Sequence, residues 1–178
     1  IVVGVRRQGV LFAPEAGDQL FPGNECYVMC HHQDRLRTTE IFGKSIARQE
    51  RIVIIGGGNV GQRVAQALEK DDRRMRIKVI ERNRSVAEES ADALERTIVL
   101  NGDGLDSTLL TEAGIGRADA VLAITDDDKT NMLAAVRAKS MGCKMAIALI
   151  NDPTMVSMMG TLSIDAHINP RATTVSSI

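Results

Sequence analysis

From Arg51 onward, short apolar runs alternate with longer stretches in which apolar residues recur every three or four positions, the pattern of β-strands separated by amphipathic helices. The runs predict strands at 51–56, 77–81, 97–100, 119–125, 144–150 and 164–168. The periodic stretches predict helices at 59–69, 84–93, 107–113, 128–141 and 153–159. Alternation of this kind implies a parallel sheet covered on both faces, and six strands complete a doubly wound one. Gly142 follows the last apolar position of the helix that contains Leu133, Ala134, Val136 and Ala138, where a left-handed residue commonly closes a helix. Asp152 and Pro153 supply an N-cap followed by proline at the first helical position.

Before Arg51 the pattern is different. Residues 1–33 set short apolar stretches (Ile1-Val2-Val3, Val10-Leu11-Phe12, Tyr27-Val28-Met29) between turn residues such as Gly4, Gly9, Pro14, Gly17, Pro22 and Gly23, which predicts a few short strands. A polar stretch follows with only Leu36, Ile41, Ile46 and Ala47 as apolar positions, and residues 34–50 read as a linker that is partly helical.

The first strand of the alternating region carries the most specific chemistry. Arg51-Ile52-Val53-Ile54-Ile55 breaks into Gly56-Gly57-Gly58-Asn59-Val60-Gly61, a Gly-x-Gly-x-x-Gly turn between a strand and a helix. Gly56 permits the tight turn, Gly58 lets a pyrophosphate approach the backbone, and Gly61 lets the helix pack closely on the sheet. The helix N-terminus, starting with Asn59 and Val60, then offers unpaired N–H groups and a partial positive charge to an anion. The next predicted strand ends in Glu81, about 20 residues after the last glycine, as a dinucleotide-binding fingerprint requires. Its carboxylate can accept from both ribose hydroxyls and repels a 2′-phosphate, which favours NAD(H) over NADP(H). Arg82 beside it qualifies this, because it can stack on adenine or pair with a phosphate. The third and fourth strands end at Asp103, placed to meet the adenine edge, and at Thr125 and Asp126, placed to meet the cofactor's second half. Asp126, Asp127 and Asp128 also suit the start of a helix without any ligand. Arg171, just beyond the sixth strand, is a further phosphate candidate. The expected fold class is therefore α/β: a Rossmann-like, doubly wound, mostly parallel six-stranded sheet at 51–178, preceded by a partial small β-rich (α+β) lobe at 1–33.

Composition narrows the function. Lys plus Arg number 22 against 23 Asp plus Glu, for a net charge of −1, so no broad positive field exists to attract nucleic acid. No apolar run approaches the roughly 20 residues that span a bilayer, and no secretory leader opens the chain, so a soluble, cytoplasmic protein is expected. Three cysteines without a disulfide pattern fit a reducing compartment. Cys26, Cys30, His31 and His32 do not make a metal site: on an extended strand the two sulfurs stand roughly 13 Å apart at about 3.3 Å per residue. Met155, Met158 and Met159 read as core filler, His167 as structural, and Arg73, Arg74 and Arg76 beside Asp71 and Asp72 as a solvated turn. Ile1 stands where an initiator Met would, so the chain reads as part of a longer one.

The ordered set of motifs resembles the RCK (KTN) domain family, which regulates potassium channels and transporters. The matching pieces are Ile54-Ile55-Gly56-Gly57-Gly58-Asn59-Val60-Gly61, Val79-Ile80-Glu81-Arg82, Asn101-Gly102-Asp103-Gly104, the run from Leu110 to Ile115 with Ala118-Asp119-Ala120-Val121, Thr125-Asp126-Asp127-Asp128 with Asn131-Met132-Leu133, and Asn151-Asp152-Pro153. Rossmann dehydrogenases share the first two pieces but not the series. The opening segment, with Gly4-Val5-Arg6-Arg7 and Phe21-Pro22-Gly23-Asn24-Glu25, looks like the end of the small C-terminal lobe that follows each such Rossmann unit. The resemblance implies two units in tandem, the chain holding the tail of the first lobe and the Rossmann part of the second. It implies a non-catalytic gating subunit, a homodimer or tetramer, lying peripherally on the inner face of the cell membrane against a potassium-translocating subunit of the Trk type. It also implies NAD(H), and ATP or ADP, as ligands of one crevice. The alternative is an NAD-dependent oxidoreductase whose substrate domain is missing from this chain. After the sixth strand only residues 172–178 remain, and no His, Cys or Lys stands in a catalytic context, so the regulatory reading is the expected one.

Overall fold

Ile52, Val53, Ile54 and Ile55 are all buried, as befits a strand covered on both faces. In the computed structural model, which describes residues 1–43, 49–158 and 162–170, they belong to β4 (Arg51–Ile55), an inner strand of a six-stranded parallel sheet. The chain divides into two units, Ile1–Arg48 and Gln49–Ile178.

In the second unit β4 is followed by α2 (Asn59–Asp71), β5 (Arg76–Glu81), α3 (Arg84–Ala93), β6 (Ile98–Asn101), α4 (Ser107–Ala113), β7 (Ala120–Ala123), α5 (Asp128–Ser140), β8 (Met145–Leu149), α6 (Pro153–Met158) and β9 (Ala166–Ile168). The strands lie in the order β6-β5-β4-β7-β8-β9, so the order reverses between β4 and β7. Ligands of open α/β sheets bind beyond the carboxyl ends of the strands at such a reversal.

Side-chain alternation along the strands builds a separate core on each face of the sheet. Ile52, Ile54, Ile77 and Val79 pack with Ala65 of α2 and Leu94, whereas Val53, Ile55, Ile80 and Val121 pack with Leu110 of α4 and Ala134, Ala135 and Ala138 of α5. Gly142 closes α5 at φ 102°, and the Asp152 carboxylate accepts the Thr154 N–H at 2.8 Å, so both boundary signals perform as the sequence predicts. The strand expected over 119–125 is trimmed at both ends. Its terminal residues Asp119 and Thr125 have instead entered side-chain hydrogen bonds. Met155 packs against the core as expected, but Met158, at the end of the short α6, is 57 % exposed. Met159 lies outside the described residues.

The amino edge of the sheet is tied by Asp119, whose side chain is 8 % exposed. Its Oδ2 accepts the backbone N–H groups of Glu50 and Arg51 at 3.0 and 2.9 Å, and its Oδ1 accepts Lys144 Nζ at 2.7 Å. The bond from Lys144, then that from the Arg51 backbone, holds this carboxyl far below the usual carboxylate range. A depressed folded-state pKa contributes stability that is complete above the unfolded value of about 4 and is lost as pH falls through the folded one. Asp119→Asn is therefore expected to cost about 2 kcal/mol near neutral pH, with the deficit shrinking below about pH 4. Urea unfolding of both proteins at neutral pH and at about pH 3 reads this, and a gap that does not change with pH would contradict it.

The first unit holds β1 (Val2–Arg7), β2 (Val10–Phe12) and β3 (Glu25–Val28) in an antiparallel sheet ordered β2-β1-β3, then α1 (Arg35–Ile41). Gln8 and Gly9, at φ 49° and 82°, make the two-residue turn that joins β1 to β2 in the register Arg7 opposite Val10. Arg7 stacks on Phe12 and Phe21, with its guanidinium carbon 5.4 and 5.0 Å from the ring centres. β3 stops at Val28, so Cys30 lies beyond the strand in which the sequence placed it. Ile46 and Ala47 fall outside the described residues, and no helix among the described residues is long and apolar enough to cross a membrane.

Candidate functional site

The carboxyl edge at the strand reversal is built around glycines, each for a different reason. Gly56 sits at φ 110°, and a Cβ there would lie 2.9 Å from the Thr125 backbone nitrogen, so neither its conformation nor its closeness to the end of β7 tolerates a side chain. Gly57 is pressed against the next strand, where a Cβ would come within 2.9 Å of Glu81 Cβ. At Gly61 a Cβ would overlap the Gly56 carbonyl oxygen, which is how α2 comes so close to the end of β4. Gly58 is the exception. Nothing lies within 4 Å of the position its Cβ would take, and its φ of −65° is open to any residue. The space is clear beside the first turn of α2, where no side chain among the described residues caps the helix. A glycine that the fold does not need, next to uncapped helix N–H groups, leaves room for a phosphate to approach the backbone.

Glu81 closes the other side of this corner. Its Oε2 accepts the Gly57 N–H at 2.6 Å and its Oε1 accepts the Asn83 N–H at 2.7 Å, so the carboxylate is fixed in place with one acceptor lobe on each oxygen still available. Ser90 of α3, fully buried, donates to the Gly57 carbonyl at 2.7 Å and accepts from Gln62 Nε2 at 3.1 Å. The glycine turn is thus held from α2, α3 and β5 at once.

The remaining predicted residues line up along the same edge. Arg82 is exposed, its backbone carbonyl accepting from Asn101 Nδ2 at 3.1 Å. Asp103 follows β6, where its Oδ1 accepts the Leu105 N–H at 2.9 Å. Asn59 and Val60 form the exposed first turn of α2, Val60 at 50 % exposure. The three acids after β7 separate by role. Asp127 caps α5 through the Thr130 N–H at 2.9 Å, and Asp128 accepts the Asn151 and Asp152 N–H groups, both at 2.8 Å. Asp126 is exposed and makes no polar side-chain contact among the described residues. Bonds from the Thr130 hydroxyl and N–H hold the Asp127 carboxyl below its ordinary value. Arg171 lies outside the described residues.

Thr125 is less free than its position suggests. Its hydroxyl donates to Asn131 Oδ1 at 2.7 Å and its N–H to the same oxygen at 2.8 Å, while Asn131 Nδ2 donates to the carbonyls of Thr125 and Leu149 at 3.0 and 2.9 Å. Asn131 is completely buried, and it clamps the ends of β7 and β8 together. Sequence reasoning assigned no role to Asn131, Ser90, Gln62 or Gly57. The signal for the first two was a polar residue on an otherwise apolar helical stripe: Asn131 with Ala134, Ala135 and Ala138, and Ser90 with Ala87 and Leu94.

A family model described as TrkA-N domain matches residues 52–170, which takes in the whole of this corner. The chain belongs to that family. It is 40 % identical, over 99 % of its length, to the Trk system potassium uptake protein TrkA of Azorhizobium caulinodans, of which it covers 39 %. The chain spans about two fifths of the length of the curated relatives it matches. Among solved structures it resembles the TrkA-N domain of the inner membrane protein ybaL from Escherichia coli, with TM-score 0.65, 14 % identity, and coverage of 74 % of this chain and 96 % of that one. It also resembles a structure described as GsuK channel bound to NAD, with TM-score 0.58, 18 % identity, and coverage of 70 % and 22 %. At those identities the likeness establishes the Rossmann-like fold.

Proposed function

We propose that Gln49–Ile178 binds the adenosine diphosphate part of NAD(H), and of ATP or ADP, at the carboxyl edge of β4 to β7. The whole protein, on this reading, is a regulatory subunit of a potassium uptake system. Gly56, Gly58, Gly61 and the N–H groups of Asn59 and Val60 receive the diphosphate, and Glu81 receives the ribose. Arg82 and Asp103 flank the adenosine, Thr125 and Asp126 the second half of a dinucleotide, and Arg171 a phosphate. The observation that carries this is the clear space at Gly58 beside the uncapped helix, with the Glu81 carboxylate hydrogen-bonded to the same turn.

Two resemblances support the wider role: the TrkA relative is named as a potassium uptake protein, and the GsuK structure is described with NAD bound. Binding without turnover would make nucleotide occupancy a signal, since a ligand shifts a conformational equilibrium only by its differential affinity for the two shapes. The partner is a potassium-translocating membrane subunit of the Trk type, met from the cytoplasmic side by a homodimer or tetramer. Residues 1–33 are, on the same reading, the end of a preceding unit's C-terminal lobe, and residues 34–50 the linker that follows it. These relatives favour a regulator over an oxidoreductase.

Calorimetric titration with NADH, NAD, ATP and ADP tests the ligand. Heat of association without consumption of NADH is expected, and silence with all four ligands removes the proposal. Gly58→Val is expected to cost only about 1 kcal/mol, the poor N-cap preference of valine, because no atom opposes the new side chain, yet to weaken nucleotide binding at least about tenfold by filling the phosphate's space. Glu81→Ala is expected to fold and to bind NADH and ATP more weakly. Unchanged affinity in the glutamate variant would take Glu81 out of the site.

A further inference from the structure

The sheet carries a second feature at its opposite edge. Across the amino ends of β4, β5 and β6 runs an open groove of ≈ 830 Å³, bounded by the start of each strand, the α2–β5 turn and the segment between α4 and β7. Although the chain as a whole has a net charge of −1, cations crowd this groove and only two of its lining residues, Glu50 and Glu112, are acidic.

The cations fall into two sets. Arg51 lies 3.6 Å from Asp119, Arg74 forks onto Asp72, Lys78 donates to the Glu112 carbonyl, and Arg96 donates to the backbone carbonyls of Arg73 and Glu69. Arg73, Arg76 and Arg117 are exposed, and their side chains make no polar contact among the described residues. Three guanidinium groups, two from the stretch that runs from α2 into the start of β5 and one from the segment before β7, therefore flank one groove without a partner among the described residues. The bare sequence showed two of them only as part of a solvated turn.

The lining also has an apolar component. Met75 is half-buried there, and Ile98, at the start of the edge strand, is 55 % exposed. That combination discriminates between anions. A compact phosphate would gain nothing from Met75 or Ile98, would lie near the negative end of the α2 dipole, and would find no helix N-terminus aimed at it. Single-stranded nucleic acid is held by aromatic stacking, and the groove has no aromatic lining residue. A peptide that alternates carboxylates with aliphatic side chains satisfies both the arginines and the apolar strip.

We propose that this groove is a docking surface for an acidic, leucine-type segment of a partner protein. It lies at the edge of the sheet remote from the nucleotide corner and does not depend on that corner's chemistry.

Fluorescence anisotropy of the whole chain with a fluorescein-labelled hexapeptide alternating glutamate and leucine tests it. Saturable binding is expected at low ionic strength, weakening as salt screens the charges. The variant R73E/R76E/R117E is expected to bind the peptide at least about tenfold more weakly. R73Q/R76Q/R117Q should fall between it and the parent. NADH titration of both variants should match the parent, which separates failure here from failure of the nucleotide reading. Absence of saturation by the parent, or peptide affinity unchanged in the glutamate variant, overturns the proposal. So does tighter binding of a labelled oligothymidylate or of pyrophosphate than of the peptide.

Discussion

Gly61→Ala is expected to destabilise Gln49–Ile178 by about 3 kcal/mol or more, although alanine is the better helix former by about 1 kcal/mol. The preference is overridden by geometry: the added methyl group would occupy the place of the Gly56 carbonyl oxygen, itself backbone and unable to rotate away. Either α2 lifts off β4, exposing the packing of Ala65 on Ile52 and Ile54, or the glycine turn is distorted. Chemical unfolding followed by far-ultraviolet circular dichroism measures the loss. A loss below about 1 kcal/mol would mean that α2 can slide without cost and that close helix packing is not why glycine stands there. Gly58→Val provides the contrast within the same turn: it is expected to cost the fold far less than Gly61→Ala and, on the proposed function, to weaken nucleotide binding.

Asn131→Leu is the second large effect, at about 3 kcal/mol. Leucine keeps the branched outline of asparagine and is the larger side chain, so the cost does not come from a cavity. It comes from stranding the Thr125 N–H and the carbonyls of Thr125 and Leu149, all of which Asn131 now satisfies inside the protein. Losing the clamp also frees the loop that carries Asp126, so on the proposed function nucleotide affinity should fall in the same variant. Equal stability of variant and parent in urea would show that these groups reach water instead and that the clamp is dispensable.

How much of this was readable beforehand depends on whether a feature is local. The β4 run, the capping signals at Asp152 and Gly142, and the spacing from Gly61 to Glu81 are properties of neighbouring residues, and they placed the elements within a few positions. Sequence therefore also located the corner: glycine turn, acidic strand end and the loops after β6 and β7 fall on one edge because parallel strands all point the same way. The triple acid 126–128 was ambiguous because helix capping and ligand binding call for the same residue type. Hydrogen bonds from Thr130 engage Asp127 and those from Asn151 and Asp152 engage Asp128, while Asp126 makes no polar side-chain contact among the described residues.

Apolar periodicity and glycine spacing by themselves determined a doubly wound α/β sheet with a dinucleotide-type turn, because burial on two faces and a strand-to-helix corner each demand a particular local pattern. Only the tertiary structure decided which glycine is structural and which leaves open space. It alone made Asn131 and Ser90 clamps, and it alone gathered Arg73, Arg76 and Arg117 around one groove. Those outcomes depend on distances between residues remote in the chain, and the packing of helices on the sheet sets such distances while linear spacing does not.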